Sequence, residues 1–178
     1  MELIRVLEAF SSFEKRGIDF YRRFAARFND PPRVQRLWTE MSNAEAGHFA
    51  VLSRTQDWIQ TGRDATEPSP GLTPADLETM DRRLSALEAE GTASDLTFAE
   101  AVGLAVEWEE VELRRVLVLL PALPAGAKGR VVSGLVAEAG LHYDCLQELA
   151  GLAGAASLET RFSALRAGTG QAAGKPVD

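Results

Sequence analysis

The sequence predicts an all-α protein: four long helices packed as a bundle, with a shorter helix in a long connection between the second and third. Three observations predict it. Four stretches repeat apolar residues at alternating steps of three and four, the mark of a helix with one buried face. No stretch of useful length alternates apolar and polar residues as a half-buried strand does. Proline- and glycine-bearing breaks stand between the stretches, where helices must stop. Helices of roughly 24–31 residues would each be about 35–45 Å long, and a four-helix bundle is the economical way to bury four such faces.

The first stripe is Leu3, Leu7, Phe10, Glu14, Gly17, Tyr21, Phe24 and Phe28. Asn29-Asp30-Pro31-Pro32 closes this helix and opens the next, with Asp30 expected to cap and Pro31 expected at the first helical position. The second helix is expected from Pro31 to Thr61, with the stripe Val34, Trp38, Met41, Glu45, His48, Leu52, Thr55 and Ile59, and Gly62 as its stop. Thr66 to Gly71 has the chemistry of a loop. Thr73-Pro74-Ala75-Asp76 then starts a shorter helix with an apolar face of Leu77, Met80, Leu84 and Leu87, ended by Gly91. A connection of this length can return along the bundle and lets the second and third long helices run parallel.

Thr97-Phe98-Ala99-Glu100 reads as a capping box opening the third long helix. Its stripe is Phe98, Val102, Ala105, Glu109, Glu112, Val116 and Leu119, ending near Pro121 and Pro124. The fourth runs from about Ala127 to Ala150. Two seams fit it: Val132, Leu135, Ala139, His142, Leu146, Leu149, or Val131, Leu135, Glu138, His142, Cys145, Leu149. Residues 1–152 thus form the bundle. Residues 153–167 carry a short helix through Leu158, Phe162 and Leu165, and 168–178 form a flexible tail.

Composition narrows the function. The chain has 178 residues, with 19 Lys and Arg against 26 Asp and Glu, a net charge of −7. That balance argues against nucleic acid and anionic membranes as partners. No apolar run is long enough to span a bilayer. Met1 to Phe10 carries Glu2, Arg5 and Glu8 in a helical pattern, unlike a signal peptide, so a cytoplasmic protein is expected. A single cysteine excludes an internal disulfide and any four-cysteine metal module.

The core stripes carry misplaced residues of one chemical kind: Glu14, Glu45, His48, Glu109, Glu112, His142 and, on one of the two seams, Glu138. A buried carboxylate needs a partner or a cation. Each of these residues stands near the middle of its helix, so they can converge at one level. There, two divalent or trivalent cations would neutralise them. Glu45-Ala46-Gly47-His48 is a Glu-x-x-His on one helical face. Di-iron and di-manganese carboxylate proteins build their centres from single glutamates on two helices and this motif on the other two. The bland alternative for the same residues is a buried ion-pair network. Glu107 and Glu110 read as solvated, Cys145 as core, and Trp38, Trp58 and Trp108 as packing or interface residues. Tyr21 reads either as a core aromatic or as a donor to a ligand carboxylate.

This pattern resembles the rubrerythrin branch of the ferritin-like superfamily over roughly residues 3 to 150. Phe13-Glu14-Lys15-Arg16-Gly17-Ile18-Asp19-Phe20-Tyr21 looks like that family's first-helix ligand segment. Met41 to His48 looks like its second, and the Glu-x-x-Glu of Glu109 and Glu112 like the pair on its third helix. The resemblance implies a ferritin-like bundle holding two iron ions, with di-manganese or a mixed pair open. It implies that Glu14 and Glu109 are terminal or bridging ligands and Glu45 a bridge. His48 and His142 would supply one imidazole per metal, and Glu112 a carboxylate able to change coordination. The implied activity is an oxidoreductase that reduces hydrogen peroxide or oxidises Fe²⁺ with peroxide or dioxygen. It would draw electrons from an external donor and work as a homo-oligomer, a dimer. Three departures stand out. Ala139, not glutamate, precedes His142 by three residues. Glu138 could substitute from four residues back, by a rotated side chain or a local π-bulge, or that ligand is missing and water takes its place. The tyrosine expected near Val116 and Leu117 is absent, and there is no rubredoxin domain. A non-catalytic metal-binding or assembly bundle with a degenerate site is the competing reading.

Overall fold

The structure, a computed structural model, describes residues 2–61, 71–123, 125–155, 158 and 161, without the side chains of 114–118, 120–122, 125–130, 132–134 and 136–139. It is all-α among the described residues. The helices are α1 (Leu3–Arg27), α2 (Pro32–Gln60), α3 (Pro74–Gly91), α4 (Phe98–Ala122) and α5 (Ala125–Leu152).

α1 forms because its stripe is buried: Leu3, Leu7, Phe10, Glu14, Gly17, Tyr21 and Phe24 all face inward. Phe28 lies just past its end, half-buried. Its last turn is fastened by Arg27, whose guanidinium donates to the carbonyls of Ala93, Ser94 (2.8 Å) and Leu96 (2.7 Å). α2 returns antiparallel along α1. Phe24 meets Trp38, the Ser42 hydroxyl donates to the Ile18 carbonyl at 3.0 Å, and Gln56 donates to Ser11 at 2.7 Å. The start of α2 differs from the expectation. Pro31 occupies the cap position, Asp30 makes no cap, and Pro32 takes the first helical position. Gly62, its expected stop, lies outside the described residues.

Thr73 and Asp76 form a reciprocal capping box at the start of α3. Leu84 and Leu87 on its apolar face are buried, while Leu77 and Met80 pack half-buried. Arg16 of α1 clamps the outer side through Glu88 (2.7 Å), Asp81 and Ser85 (2.9 Å). Gly91 ends α3 where a Cβ would stand 3.0 Å from the Phe20 ring. The capping box of Thr97 and Glu100 opens α4 as expected: Thr97 N–H donates to Glu100 at 2.8 Å, and Glu100 N–H donates back at 3.3 Å. α4 ends at Ala122, one residue past Pro121.

Trp38 of α2 lies beside Phe98, at the start of α4, while Glu45 further along α2 shares a cluster with Glu112. α2 and α4 therefore run in the same direction. On α5, Val131, Leu135, His142, Cys145, Leu146 and Leu149 are buried, so every described member of both expected seams faces inward, while the side chains of Val132, Glu138 and Ala139 lie outside the described residues. Arg33 pairs with Glu148 to close the α2–α5 edge. The short helix expected over 153–167 and the tail at 168–178 lie almost wholly outside the described residues. Leu158 packs against the core, and Arg161 makes a bidentate pair with Glu110 of α4 at 2.9 and 2.8 Å. The core is rich in aromatics. Phe20 stacks on Trp108 and Tyr21 on Trp38, and each such fully buried side chain contributes about 1.5–3 kcal/mol.

Candidate metal centre

Six acidic and imidazole side chains converge between α1, α2, α4 and α5. Ligand atoms of Glu14, Glu45, His48 and Glu112 lie within 4.8 Å of one another, and so do those of Glu45, Glu109 and His142. All six residues are buried, and Glu45 has no exposure at all. Glu45 belongs to both clusters, and the His48 and His142 rings lie 5.1 Å apart.

The sequence produces this convergence simply. Glu14 and Glu45 occupy positions on the apolar stripes of α1 and α2, so folding the stripes inward carries the carboxylates in. His48 follows Glu45 by one turn and shares its face. Gly17 makes the close approach possible: a Cβ there would stand 2.9 Å from the carboxylate carbon of Glu45 and 3.1 Å from its Oε1.

The polar contacts fall into two groups. Tyr21 donates its hydroxyl to Glu109 Oε1 at 2.6 Å, and His142 Nδ1 lies 2.8 Å from Glu109 Oε2. His48 Nδ1 lies 3.6 Å from Glu14 Oε2 and 3.5 Å from Glu45 Oε2. Both oxygens of Glu45 and Nε2 of His142 are buried without a hydrogen-bond partner. Burying such atoms unsatisfied costs about 1–3 kcal/mol each. They are carboxylate and imidazole atoms, which divalent transition metals accept. The donor set therefore fits a pair of such metals.

The electrostatics agree. Burial, and then the charges of Glu112 and Glu14, push the Glu45 carboxyl well above its ordinary range. Burial would lower the His48 imidazole, but Glu14, Glu112 and Glu109 outweigh it and hold it up at about 9. For Glu109, burial opposes ionisation, yet His142 and the Tyr21 hydroxyl bring its carboxyl below the usual value. Burial, with Glu109 and Glu45 nearby, raises the Tyr21 phenol well above its ordinary value. Without cations the cluster is a set of acids forced to share protons.

No family model, no curated protein and no solved structure matches the chain.

Glu14, Glu45, His48, Glu109, Glu112 and His142 all come together as expected. Glu138 lies on α5, one turn before His142, but its side chain is outside the described residues, as is that of Ala139. Tyr21 is buried in the core and its hydroxyl donates to the Glu109 carboxylate. Sequence reasoning passed over Trp108. It reads as a packing residue, yet its indole N–H donates to Glu112 at 3.3 Å. Its spacing of four residues before Glu112, on one helical face, is the signal that could have found it. Cys145 is buried beside Glu40 rather than in either cluster, and burial together with Glu40 pushes its thiol up to about 12.

Proposed function

We propose that α1, α2, α4 and α5 form a ferritin-like four-helix bundle, with α3 in the crossover, around a two-metal carboxylate centre. The chain acts as a rubrerythrin-like oxidoreductase that reduces hydrogen peroxide or oxidises Fe²⁺ with peroxide or dioxygen. The observation that carries this reading is Glu45: it alone belongs to both clusters, and neither of its buried oxygens has a hydrogen-bond partner.

Glu14, His48 and Glu112 would hold one metal, Glu109 and His142 the other, with Glu45 between them. Two iron ions, or manganese or a mixed pair, would supply Lewis acidity and the electrons that cleave an O–O bond. The protein's own groups do the rest. The Tyr21 phenol keeps its proton and donates a hydrogen bond to Glu109. The aromatic wall of Phe20, Tyr21, Trp38 and Trp108 excludes water, which strengthens every charge interaction inside. Peroxide reduction to two waters consumes two electrons and two protons. With one buried thiol in the chain, the electrons come from a separate donor.

Among the described residues no helix is long and apolar enough to cross a membrane, which accords with the proposed cytoplasmic setting. A homodimer is proposed by the same family resemblance.

Anaerobic addition of hydrogen peroxide to protein loaded with Fe²⁺ tests the reading. Bound iron should be oxidised at two irons per peroxide, faster than free Fe²⁺ at equal concentration, and His142→Ala should abolish the advantage. Iron that is tightly bound but oxidised no faster than free iron would replace the enzyme with the non-catalytic metal-binding bundle.

A further inference from the structure

Glu112 is held differently from the other carboxylates. Its Oε1 accepts a hydrogen bond at 3.3 Å from the indole Nε1–H of Trp108, one turn earlier on α4. Both side chains are buried. The indole has little freedom of its own: it stacks on Phe20 with ring centroids 4.5 Å apart and planes 18° from parallel. Phe20 in turn meets the edge of Tyr21 at 5.4 Å.

A core position that needs only bulk can be filled by phenylalanine or leucine. Tryptophan brings an N–H that costs about 1–3 kcal/mol if buried without an acceptor. Here the acceptor belongs to the cluster of Glu14, Glu45, His48 and Glu112. The donor also differs in kind from the one on Glu109. A tyrosine hydroxyl rotates and can donate or accept, whereas an indole N–H only donates, along a direction its ring fixes. Through stacking, Phe20 fixes that ring.

We infer that Trp108 is a positioning residue of the centre: its indole N–H fixes the orientation of Glu112 and so sets how tightly the position formed by Glu14, Glu45, His48 and Glu112 holds its metal. This rests on the two-metal reading above. Trp108 need not touch metal or substrate to act.

The test uses Co²⁺ alone, titrated against a competing chelator, in two backgrounds. His142→Ala leaves the Glu14–Glu45–His48–Glu112 position, and Glu14→Ala leaves the Glu45–Glu109–His142 position. Trp108→Phe keeps a ring on Phe20 and removes the N–H. In the His142→Ala background it should weaken Co²⁺ binding about 10–100-fold, the usual cost of losing a ligand's hydrogen-bond partner, and alter the visible Co²⁺ spectrum. In the Glu14→Ala background it should change neither. Phe20→Leu, which keeps the N–H but loosens the ring that aims it, should lower stability and weaken Co²⁺ binding in the His142→Ala background less than Trp108→Phe does. Equal affinity with and without the indole N–H in the His142→Ala background overturns the inference and leaves the two-metal reading standing. Wild-type protein that binds no Co²⁺ overturns both. A second measurement needs no substitution. With ¹⁵N-labelled indoles, the Trp108 N–H resonance of the wild-type chain should shift when Zn²⁺ is added, and an unmoved resonance overturns the inference.

Discussion

Replacing Glu45 with methionine should stabilise the metal-free protein while destroying the centre. Glu45 is fully buried, and neither of its oxygens has a hydrogen-bond partner. The carboxylates of Glu112, Glu14 and Glu109 surround it, and burial raises its carboxyl well above the ordinary range. Against these costs stand the His48 imidazole at 3.5 Å, the His142 imidazole of the second cluster and a proton shared with Glu14. Two unsatisfied oxygens at about 1–3 kcal/mol each set the gross penalty. Exchanging a buried ionisable group for an apolar one of similar volume commonly gains about 1–4 kcal/mol. Methionine is unbranched and of similar length, so it fits the space beside Gly17. We expect Glu45→Met to gain about 2–4 kcal/mol in urea unfolding followed by circular dichroism, with chelator present. The same variant should lose tight binding of both metals, because Glu45 serves both clusters. A metal-free Glu45→Met that is less stable than wild type by more than about 1 kcal/mol would contradict this expectation, since breaking a real buried ion-pair network costs stability. Glu45 would then be structural.

Other predictions follow from the same electrostatics. His48, held at about 9 against an ordinary 6.5, stabilises the metal-free fold fully below pH 6.5 and loses that contribution as pH rises through 9. Chelated protein should therefore lose about 3 kcal/mol between pH 6 and 9.5 by urea unfolding, less in His48→Gln, whereas stability that rises over this range contradicts the shift. Metal needs the neutral imidazole, so metal affinity should move the other way and strengthen from pH 6 to pH 8, as a competition titration will show. Tyr21→Phe removes the 2.6 Å donor to Glu109 and should cost about 1.5–3 kcal/mol in the metal-free protein, with a roughly 10–100-fold loss at the Glu109–His142 metal position. Cys145, with its thiol at about 12, should alkylate at pH 8 roughly 1000-fold slower than a thiol of pKa 9, and only unfolding should release it.

Much of the fold was legible because burial follows helical period. The stripes of α1 and α2 are inward from Leu3 to Phe24 and from Val34 to Thr55, and the capping boxes at Thr73 and Thr97 form as written. The convergence of Glu14, Glu45, His48, Glu109, Glu112 and His142 into one buried cluster was legible because acids on an apolar stripe have nowhere else to go. Other features depend on rotamers and neighbours that a single chain does not display. The roles of Asp30 and Pro31 changed because two successive prolines compete for the start of α2, and the second took the helical position. Trp108 looks like core filler until the indole is seen to point at Glu112. Gly17 looks like an interruption of the stripe until the Glu45 carboxylate is found against it.

These buried acids and imidazoles are proposed to hold a pair of metal ions. Elemental analysis of protein produced in iron-replete medium and purified in air tests it most directly. About two iron ions per chain are expected, as a two-metal carboxylate centre requires, with an oxo-bridge absorption near the ultraviolet edge. A helical, folded protein carrying no transition metal under those conditions would contradict it.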